Sequence, residues 1–528
     1  MAEPAGAIST WAPMRFAVFR ALWIAVLVSN VGGYMQTVGA QWLLVNQAHA
    51  AVLVALVTTA DMLPDTLFGL VGGVLADIFD RRRLLIVVQL GMAAVAVALA
   101  VLTFAGQIPP ALLLILTFVL GFSSVLSNPA YQSLTLDLAP ARDQTAAAEL
   151  GSISLNLARV VGPALAGLLI ALQGVAFVFA LNALTFIFFG LVVAAWRPKA
   201  GLTPELPEHF VSALRAGGRY VLNSRVTRRV LLRTVVFVLP ASVLWALLPL
   251  VATQRLALGA AGYGLLLGAV GIGAVIGVLI LSRLHHRFSD QVLVAASGAV
   301  YAVALALLVI VPSTVAAVLL LLPAGAGWMV VLSVVNSRLE LFLPAWIRAR
   351  GLSVFQMFLF GAQAIGAVLW GGLADVVGVV PAFLIATLAL LVGVASFRFW
   401  PFFDTGQIDS HTVSPWPEPE LAIEPQPDGG PVVIENVYSI ASAKEDAFFE
   451  IMSHLRRSRM RTGATWWGLF RVGEKGHKFV EMFTMPSWEE HLRQHRYRIT
   501  GRDATFDTQA RELSDPPSRT SHLIGVDR

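Results

Sequence analysis

Apolar residues form long runs between residues 16 and 400, and short polar links separate these runs. A helix that crosses a membrane needs about 20 consecutive, mostly apolar residues. Runs of that length predict twelve spanning helices, over residues 17–42, 51–76, 84–105, 109–136, 145–171, 174–196, 234–254, 259–282, 291–311, 314–338, 351–374 and 379–400. The pattern therefore indicates an all-α membrane protein up to residue 400.

The links between these helices alternate in charge. Links after predicted helices 1, 3, 5, 9 and 11 contain no Lys or Arg, and the link after helix 7 contains only Arg255. Links after helices 2, 4, 6, 8 and 10 are basic and contain, among others, Arg81, Arg82, Arg83, Arg142, Arg197, Lys199, Arg283, Arg287, Arg348 and Arg350. Because basic residues stay on the inner side of a membrane, the pattern predicts that both termini are cytoplasmic.

The composition supports this assignment. The chain is 57% hydrophobic and 13% charged, whereas soluble domains carry roughly 25% charged residues. With no cysteine in the chain, disulfide frameworks and thiolate metal sites are excluded. The excess of basic residues follows the membrane topology, so we predict the lipid bilayer as the surroundings and no nucleic-acid partner.

The two halves of the apolar region repeat each other at an offset of 204 residues. Gly73-Val74-Leu75 recurs as Gly277-Val278-Leu279, and Gly162 corresponds to Gly366. A repeat of six plus six helices predicts two bundles that rock around a central site. These bundles are assigned to residues 1–196 and 234–400.

The central link, residues 197–233, combines apolar positions with several arginines. Phe210-Val211 and Tyr220-Val221 are the main apolar pairs. This pattern favours a basic amphipathic helix at the inner face of the membrane. A plain polar linker is the alternative.

The last part of the chain reads as a soluble domain. Residues 401–430 are rich in proline and predict an extended linker. Residues 431–528 show strand, helix, strand, strand, helix and strand, which fits a small α+β ferredoxin-like sandwich. His491 and His495 are four apart on a helix, which is the spacing of a possible metal pair, but the neighbouring Arg493 and Gln494 favour a solvated face, so we predict no metal site.

Residues 73–83 resemble the loop between helices 2 and 3 of the major facilitator superfamily. Gly73, Asp77, Arg81 and Arg82 match the positions that form a cytoplasmic gate in that superfamily. In predicted helix 5, Gly162-Pro163 resembles the Gly-Pro motif of exporters of the same superfamily. The resemblance implies the major facilitator fold, in which the bundles alternate access to a central cavity.

Over nearly its full length, the chain is similar to the enterobactin-exporter-like branch of transmembrane secretion proteins. Ser29-Asn30, Asn128-Pro129 and Asn156 to Arg159 carry this similarity, as do Trp467 to Arg471 and Ser487 to His495 in the soluble part. It implies a multi-pass protein of the bacterial inner membrane that exports a small molecule. The soluble part also resembles small monooxygenase domains that pair as dimers, so a dimer through this domain or a ligand-sensing role is expected.

Predicted helix 2 contains two carboxylic acids, Asp61 and Asp65, one turn apart. An ionisable residue at mid-bilayer costs about 3 kcal/mol, so such residues are candidates for function. The repeat partners of these acids are Leu265 and Ala269, so only the first half has them. We predict a proton-coupling site, with a pair facing an outer vestibule or capping neighbouring groups as the alternative.

Arg159 lies deep in predicted helix 5 and shares a face with Ser152 and Asn156. It is a candidate for binding an anionic substrate group, and a structural ion pair is the alternative. By analogy with the superfamily, the cavity-lining helices carry polar and aromatic residues that suit an amphipathic substrate. The alternative is that these residues form hydrogen bonds between helices. The predicted cavity residues are Asn30, Tyr34, Gln41, Asn128, Tyr131, Asn156, Arg159, Trp328 and Asn336.

These observations predict a secondary active transporter, a proton-coupled exporter of a siderophore or another secondary metabolite. The alternatives are a multidrug pump or an importer on the same fold, or a membrane-tethered enzyme acting through residues 431–528. No nucleophile–base pair or phosphate loop stands out in the sequence, so neither catalysis nor a cofactor is expected.

Overall fold

A computed structural model describes residues 10–196, 218–403, 411–414, 416, 421–423, 425–427 and 429–525. Within these residues, twelve helices are long and apolar enough to span a membrane, which confirms the predicted number. The chain divides into two compact units. The described parts of residues 1–207, 233–335 and 355–401 form one, called here the membrane unit, and the described parts of 208–232, 336–354 and 402–528 form the other, called here the second unit.

Six helices make up the first half of the membrane region. Helix α3 is capped by Asp80, whose carboxylate accepts the backbone N–H of Arg83 at 2.8 Å. Gly174, at φ +82°, separates α5 from α6. The bounds are α1 Ala17–Leu44, α2 Ala50–Ile78, α3 Arg81–Phe104, α4 Pro110–Leu138, α5 Gln144–Gln173 and α6 Val175–Ala195.

The second half repeats this arrangement. Gly378, at φ +90°, separates its last two helices and lies 204 residues after Gly174. The bounds are α7 Arg225–Arg255, α8 Ala260–His285, α9 Asp290–Ile310, α10 Thr314–Phe342, α11 Ala345–Val377 and α12 Val379–Ala395.

Helix α7 is not continuous. Its helical segments are Arg225–Ala241 and Val243–Leu250, and a π-helical turn follows over Val251–Arg255. Pro240 lacks the N–H that would bond to the preceding turn. Side chains bind the carbonyls near the break: the Trp370 indole donates to the Leu239 oxygen at 2.7 Å, and the Tyr301 hydroxyl to the Ala241 oxygen at 2.9 Å.

Helix α7 also begins nine residues before the predicted span, inside the predicted central linker. Residues 225–233 contain four arginines, which broke the apolar run in the sequence. Residues 218–223 are helical too, and Tyr220 and Val221 there are buried. The Phe210-Val211 part of the predicted amphipathic helix lies outside the described residues.

The soluble part is an α+β domain, as predicted. Its antiparallel sheet has the strand order β2-β3-β1-β4, with helices from two of the connections packed together. Alternating burial along β1 and β3 supplies the apolar face beneath the helices. The bounds are β1 Val432–Ser439, α13 Glu445–Thr462, β2 Trp466–Arg471, β3 Lys478–Met485, α14 Trp488–Arg493, α15 Gly501–Glu512 and β4 Arg519–Ile524.

The interior of this domain contains a hydrogen-bonded ion network. Glu481, fully buried, accepts from Arg459 at 3.2 Å, from Asn436 at 2.8 Å and from the Trp467 indole at 2.9 Å. Arg459 also donates to Asp507 at 2.5 Å. Because removing one partner would leave a buried charge, the network ties β1, β3, α13 and α15 into one arrangement.

The prediction of a solvated face for His491 and His495 is wrong. Both are buried, and within the described part of the chain neither ring nitrogen of His491 has a hydrogen-bond partner. Burial, together with His522 and His495 nearby, lowers the pKa of His491 to about 3. The neighbours Arg493 and Gln494 misled the prediction because Arg493 binds Glu490 and Gln494 is buried, where its amide donates to the Thr462 hydroxyl at 2.7 Å.

Candidate functional site

Arg159 of α5 and Tyr34 of α1 form a polar contact in the middle of the membrane unit. The Arg159 Nε donates to the Tyr34 hydroxyl at 3.2 Å. The helices approach closely here because a side chain at Gly162 would lie 2.7 Å from the Tyr34 Cβ. Among the described residues, no carboxylate lies within salt-bridge distance of Arg159.

Thr37, one turn after Tyr34, reaches α2. Its hydroxyl donates to the Gly33 carbonyl of α1 at 3.3 Å and lies within reach of the Asp61 carboxyl, and Asp65 is close enough to Asp61 for the two charges to interact. Pro64 lies between the acids, and Gly121 of α4 packs on this part of α2, where an added Cβ would come within 2.7 Å of the Asp61 carbonyl oxygen. Neighbouring turns of α1 thus approach the acids of α2 and the arginine of α5.

Gln41, a further turn along α1, joins four helices. Its amide nitrogen donates to the Thr58 hydroxyl at 3.2 Å and to the Trp245 carbonyl at 3.3 Å. Its amide oxygen accepts from the Tyr263 hydroxyl at 2.5 Å. Gln41 was predicted to line the cavity, but it is 4% exposed, and it connects α1 and α2 of the first half to α7 and α8 of the second.

Small residues allow the two halves to interlock at the same end. A Cβ at Gly264 of α8 would lie 2.9 Å from the Gly167 Cα of α5, and one at Gly371 of α11 would lie 2.5 Å from the Ala55 Cβ of α2. Between α2 and α11, the Thr59 hydroxyl donates to the Ala364 carbonyl at 3.1 Å. At the surface, His49 and Asp375 bond at 2.7 Å. We call this end of the membrane unit the interlocked end.

The other predicted cavity residues lie in different surroundings. Asn128 is exposed, and Asn30 is half-buried. The Asn156 amide donates to the Ser152 carbonyl of its own helix at 2.9 Å. The Tyr131 ring packs edge-on against Phe189 inside the first bundle, with ring centres 6.3 Å apart. Asn336 is half-buried in the second unit.

Trp328 belongs to an aromatic cluster beside the break in α7. Its ring lies 5.6 Å from Trp245, 5.7 Å from Phe237 and 6.0 Å from Tyr301. Sequence reasoning missed Trp245 and Tyr263. Each is an aromatic residue with a polar N–H or O–H group inside an apolar run. Such a group needs a hydrogen-bond partner when it is buried, and this is the signal that could have identified both residues.

The predicted gating motif is described in part. The side chains of Gly73 and Asp77 lie outside the described residues. Arg82 donates to the Val193 carbonyl at 3.2 Å and to the Ala194 carbonyl, so it binds the last carbonyls of α6, where a cation is favourable. Arg81 begins α3. Pro163 presents its carbonyl oxygen to α8, 2.9 Å from where a Gly264 Cβ would lie.

The profile of the transmembrane secretion effectors matches residues 8–528. The chain belongs to this family of major facilitator transporters. The prediction of the superfamily is therefore confirmed, and the family and its relatives are transporters and not enzymes. The enterobactin-exporter-like branch stays a prediction.

Several curated relatives of this secretion effector are exporters or siderophore transporters. The multidrug efflux pump Tap of Mycobacterium bovis is 27% identical over 390 residues, 71% of this chain and 91% of the pump. A staphyloferrin A transporter of Staphylococcus aureus is 27% identical over 176 residues, 33% of this chain and 44% of that transporter. Macrolide efflux protein A of Streptococcus pyogenes is 24% identical over 201 residues, 38% of this chain and 50% of that protein. The chain thus spans about half the length of the last two relatives.

Solved structures confirm the predicted fold. A bacterial homologue of the human lysosomal transporter Spinster, inward-facing and occupied, has a TM-score of 0.60 at 13% identity, with 74% of this chain and 98% of that chain covered. A nucleoside transporter has a TM-score of 0.59 at 13% identity, with 73% and 100% covered. These likenesses show the fold alone.

Proposed function

We propose that this secretion effector exports a small amphipathic molecule in exchange for protons, by alternating access. The observation that carries the proposal is that neighbouring turns of α1 approach Asp61 of α2 through Thr37 and Arg159 of α5 through Tyr34. A proton-binding group and a substrate-binding group that both contact one helix can affect each other through it. This link supports coupling between proton uptake and substrate release.

The proton site is assigned to Asp61 and Asp65. Two carboxylates one turn apart repel each other when both are charged, and a charge at mid-membrane costs about 3 kcal/mol on insertion scales. A proton bound there removes both penalties. Because Gly121 packs on the same turn of α2, a change in the charge of this pair acts directly on the packing of α2 against α4.

The direction of transport is argued from the interlocked end. If the termini are cytoplasmic, the link between α1 and α2 lies outside, and the interlocked end closes the outer side of the inner membrane. The chain is then in an inward-facing conformation, ready to bind a substrate from the cytoplasm. Gly264, Gly371 and the Gln41 contacts support this state through direct contact between the halves.

The substrate class follows from the side chains available to it. Arg159 supplies a cation whose described contact is a neutral hydroxyl, which suits a carboxylate or another anionic group. Trp245, the half-buried member of the aromatic cluster beside the α7 break, suits an apolar or aromatic part. A carboxylate siderophore fits both features. A multidrug pump is the alternative, favoured by the Tap relative, which is covered over 91% of its length.

The test uses purified protein in vesicles with an imposed pH gradient. An iron-free carboxylate siderophore, a macrolide and a nucleoside are offered separately on the side of the termini, and their movement is measured. Of the three compounds, only the siderophore is expected to be taken up, and protons are expected to move in the opposite direction. Uptake of chemically unrelated compounds would support the multidrug alternative, and movement together with protons would indicate an importer.

A second arm addresses the membrane-tethered enzyme. A chain ending at residue 403 keeps every described residue of the membrane unit and removes the soluble domain. Transport by this shortened chain is expected to continue. If transport stops while the shortened protein still inserts and folds, the soluble domain takes part in the activity.

A further inference from the structure

The second unit contains an interface between the soluble domain and the beginnings of two spanning helices. Tyr220 precedes α7 and is 2% exposed, and Trp346 is the second residue of α11. Their rings meet edge to face, with centres 5.9 Å apart and planes at 82°. Two segments that are far apart in sequence are therefore joined by an aromatic pair.

Each of these rings receives an arginine from the soluble domain. The Arg461 guanidinium lies 5.7 Å from the centre of the Tyr220 ring, and that of Arg498 lies 5.0 Å from the Trp346 ring. Both distances are within the range in which a cation is attracted to an aromatic face. Arg461 lies in α13, and Arg498 lies five residues after the end of α14. The two contacts therefore connect two elements of the soluble domain to the segments that contain Tyr220 and Trp346.

Carboxylates of the soluble domain fix the side chains of both arginines. Arg461 donates to both oxygens of Asp503, at 2.6 and 2.7 Å. Arg498 donates to both oxygens of Glu490, at 2.7 and 3.1 Å, and to the Thr462 carbonyl. Burial alone would raise the pKa of Asp503, but Arg461 and Thr500 bring it below its usual range, so the pair stays charged at neutral pH.

The chain that enters the soluble domain is fixed near these helices as well. Arg229 of α7 lies 4.1 Å from the centre of the Phe403 ring. Arg338 of α10 donates to the Phe403 carbonyl and lies 4.9 Å from the Phe402 ring. The domain is therefore attached through its entry segment and through the aromatic pair.

We propose that the soluble domain is a docked clamp, which holds the beginnings of α7 and α11 together through Arg461–Tyr220 and Arg498–Trp346. Both helices belong to the second bundle, so the clamp stiffens one bundle and does not lock the two bundles to each other. In a transporter that rocks, each bundle moves largely as one body. The docked domain adds stiffness where α7 and α11 begin.

Docking is tested in the full chain by spin labels. The sequence has no cysteine, so cysteines introduced at Leu222 and Tyr497, which are 67% and 58% exposed, carry the only labels. A narrow distance distribution is expected in the otherwise natural chain. The double variant Tyr220→Leu, Trp346→Leu should broaden it, and the exposed control Trp466→Leu should not. An unchanged distribution in the double variant would overturn the proposal.

Stiffening is tested separately by hydrogen–deuterium exchange. Backbone amides of residues 343–350 are expected to exchange at least several-fold faster in the double variant and in the chain ending at residue 403. Equal exchange in all chains would mean that the domain docks without restraining α11, which also contradicts the clamp. Neither measurement needs a substrate, so a failure of the proposed transport activity does not affect it.

Discussion

Asp61 and Asp65 are held in the middle of a spanning helix at an energetic cost that packing alone does not explain. The described contacts of Asp61 include a hydroxyl from Thr37 and no cation. A structural role would favour a charge partner, because pairing reduces the cost of a buried carboxylate. The arrangement therefore favours a role in which the proton comes and goes.

Replacement of both acids tests this role. Asp61→Asn with Asp65→Asn should reduce transport driven by a pH gradient to the background of empty vesicles, because an amide cannot take up the proton. Exchange of substrate at equal pH should persist, since the cavity keeps its shape. Asp290→Asn, at the start of α9, serves as the control. Gradient-driven transport that survives in the double variant would rule out these acids as the proton site.

His491 makes the stability of the soluble domain depend on pH. Its pKa of about 3 lies below the ordinary 6.5, so between these values the unfolded chain binds a proton that the folded chain excludes. Stability is therefore full above pH 6.5 and falls on acidification toward pH 3. By pH 5 the loss from this residue is about 2 kcal/mol.

The measurement compares urea unfolding of the soluble domain in the full chain at pH 7 and pH 5. The natural chain should lose stability at pH 5, and His491→Phe should lose about 2 kcal/mol less. His477→Phe, at an exposed position, should behave as the natural chain does. Equal acid sensitivity of all three chains would show that other groups carry the effect.

At the scale of helices, the closed state depends on how α1, α2, α7 and α8 meet at Gln41. One amide satisfies a hydroxyl, a carbonyl and a phenol in an otherwise apolar region. Two of these partners, Trp245 and Tyr263, lie in the second half, and replacing Gln41 by leucine removes their hydrogen bonds to the first half at a cost of roughly 1 kcal/mol for each. The cost falls on the closed state alone if the halves separate here.

Gln41→Leu should therefore shift the equilibrium toward opening of the interlocked end by about 2 kcal/mol, or about 30-fold. A cysteine replacing Ala55, which is buried against Gly371, reports the opening through its rate of reaction with an impermeant maleimide. Gln36→Leu is the matched control, because Gln36 on the same helix bonds to Asn182 within the first bundle. Equal labelling rates in both variants would contradict a closing role for Gln41.

The number of helices and the α+β character of the soluble domain could be predicted from the sequence, because both depend on local periodicity. The interruption of α7 could not, because its carbonyls are satisfied by Trp370 and Tyr301 from other helices. The early start of α7 was missed because the four arginines of residues 225–233 made this segment resemble a polar linker. Arg233, for example, is 3% exposed and binds the carbonyls at the end of α12.

At the scale of the whole chain, the repeat is preserved in backbone conformation but not in chemistry. Gly174 and Gly378 take the same left-handed conformation 204 residues apart. The acids of α2, in contrast, have Leu265 and Ala269 as their partners in α8. Helix α8 has Gly264 and Gly268 in the same region. One half therefore carries the ionisable groups, and the other half provides the surface against which the first half closes.

This division of roles gives a test with two neighbouring glycines of α8. A Cβ at Gly264 would lie 2.9 Å from both the Gly167 Cα and the Pro163 carbonyl oxygen, and one at Gly268 would lie 3.7 Å from the Ala164 side chain. Gly264→Ala should therefore force α5 and α8 apart at a cost of about 1–3 kcal/mol, which opens the interlocked end and speeds labelling at position 55. Gly268→Ala makes an ordinary contact and should leave labelling unchanged. If both alanine variants label as slowly as the natural chain, the halves do not close through this α5–α8 contact, and the inward-facing interpretation loses its main support.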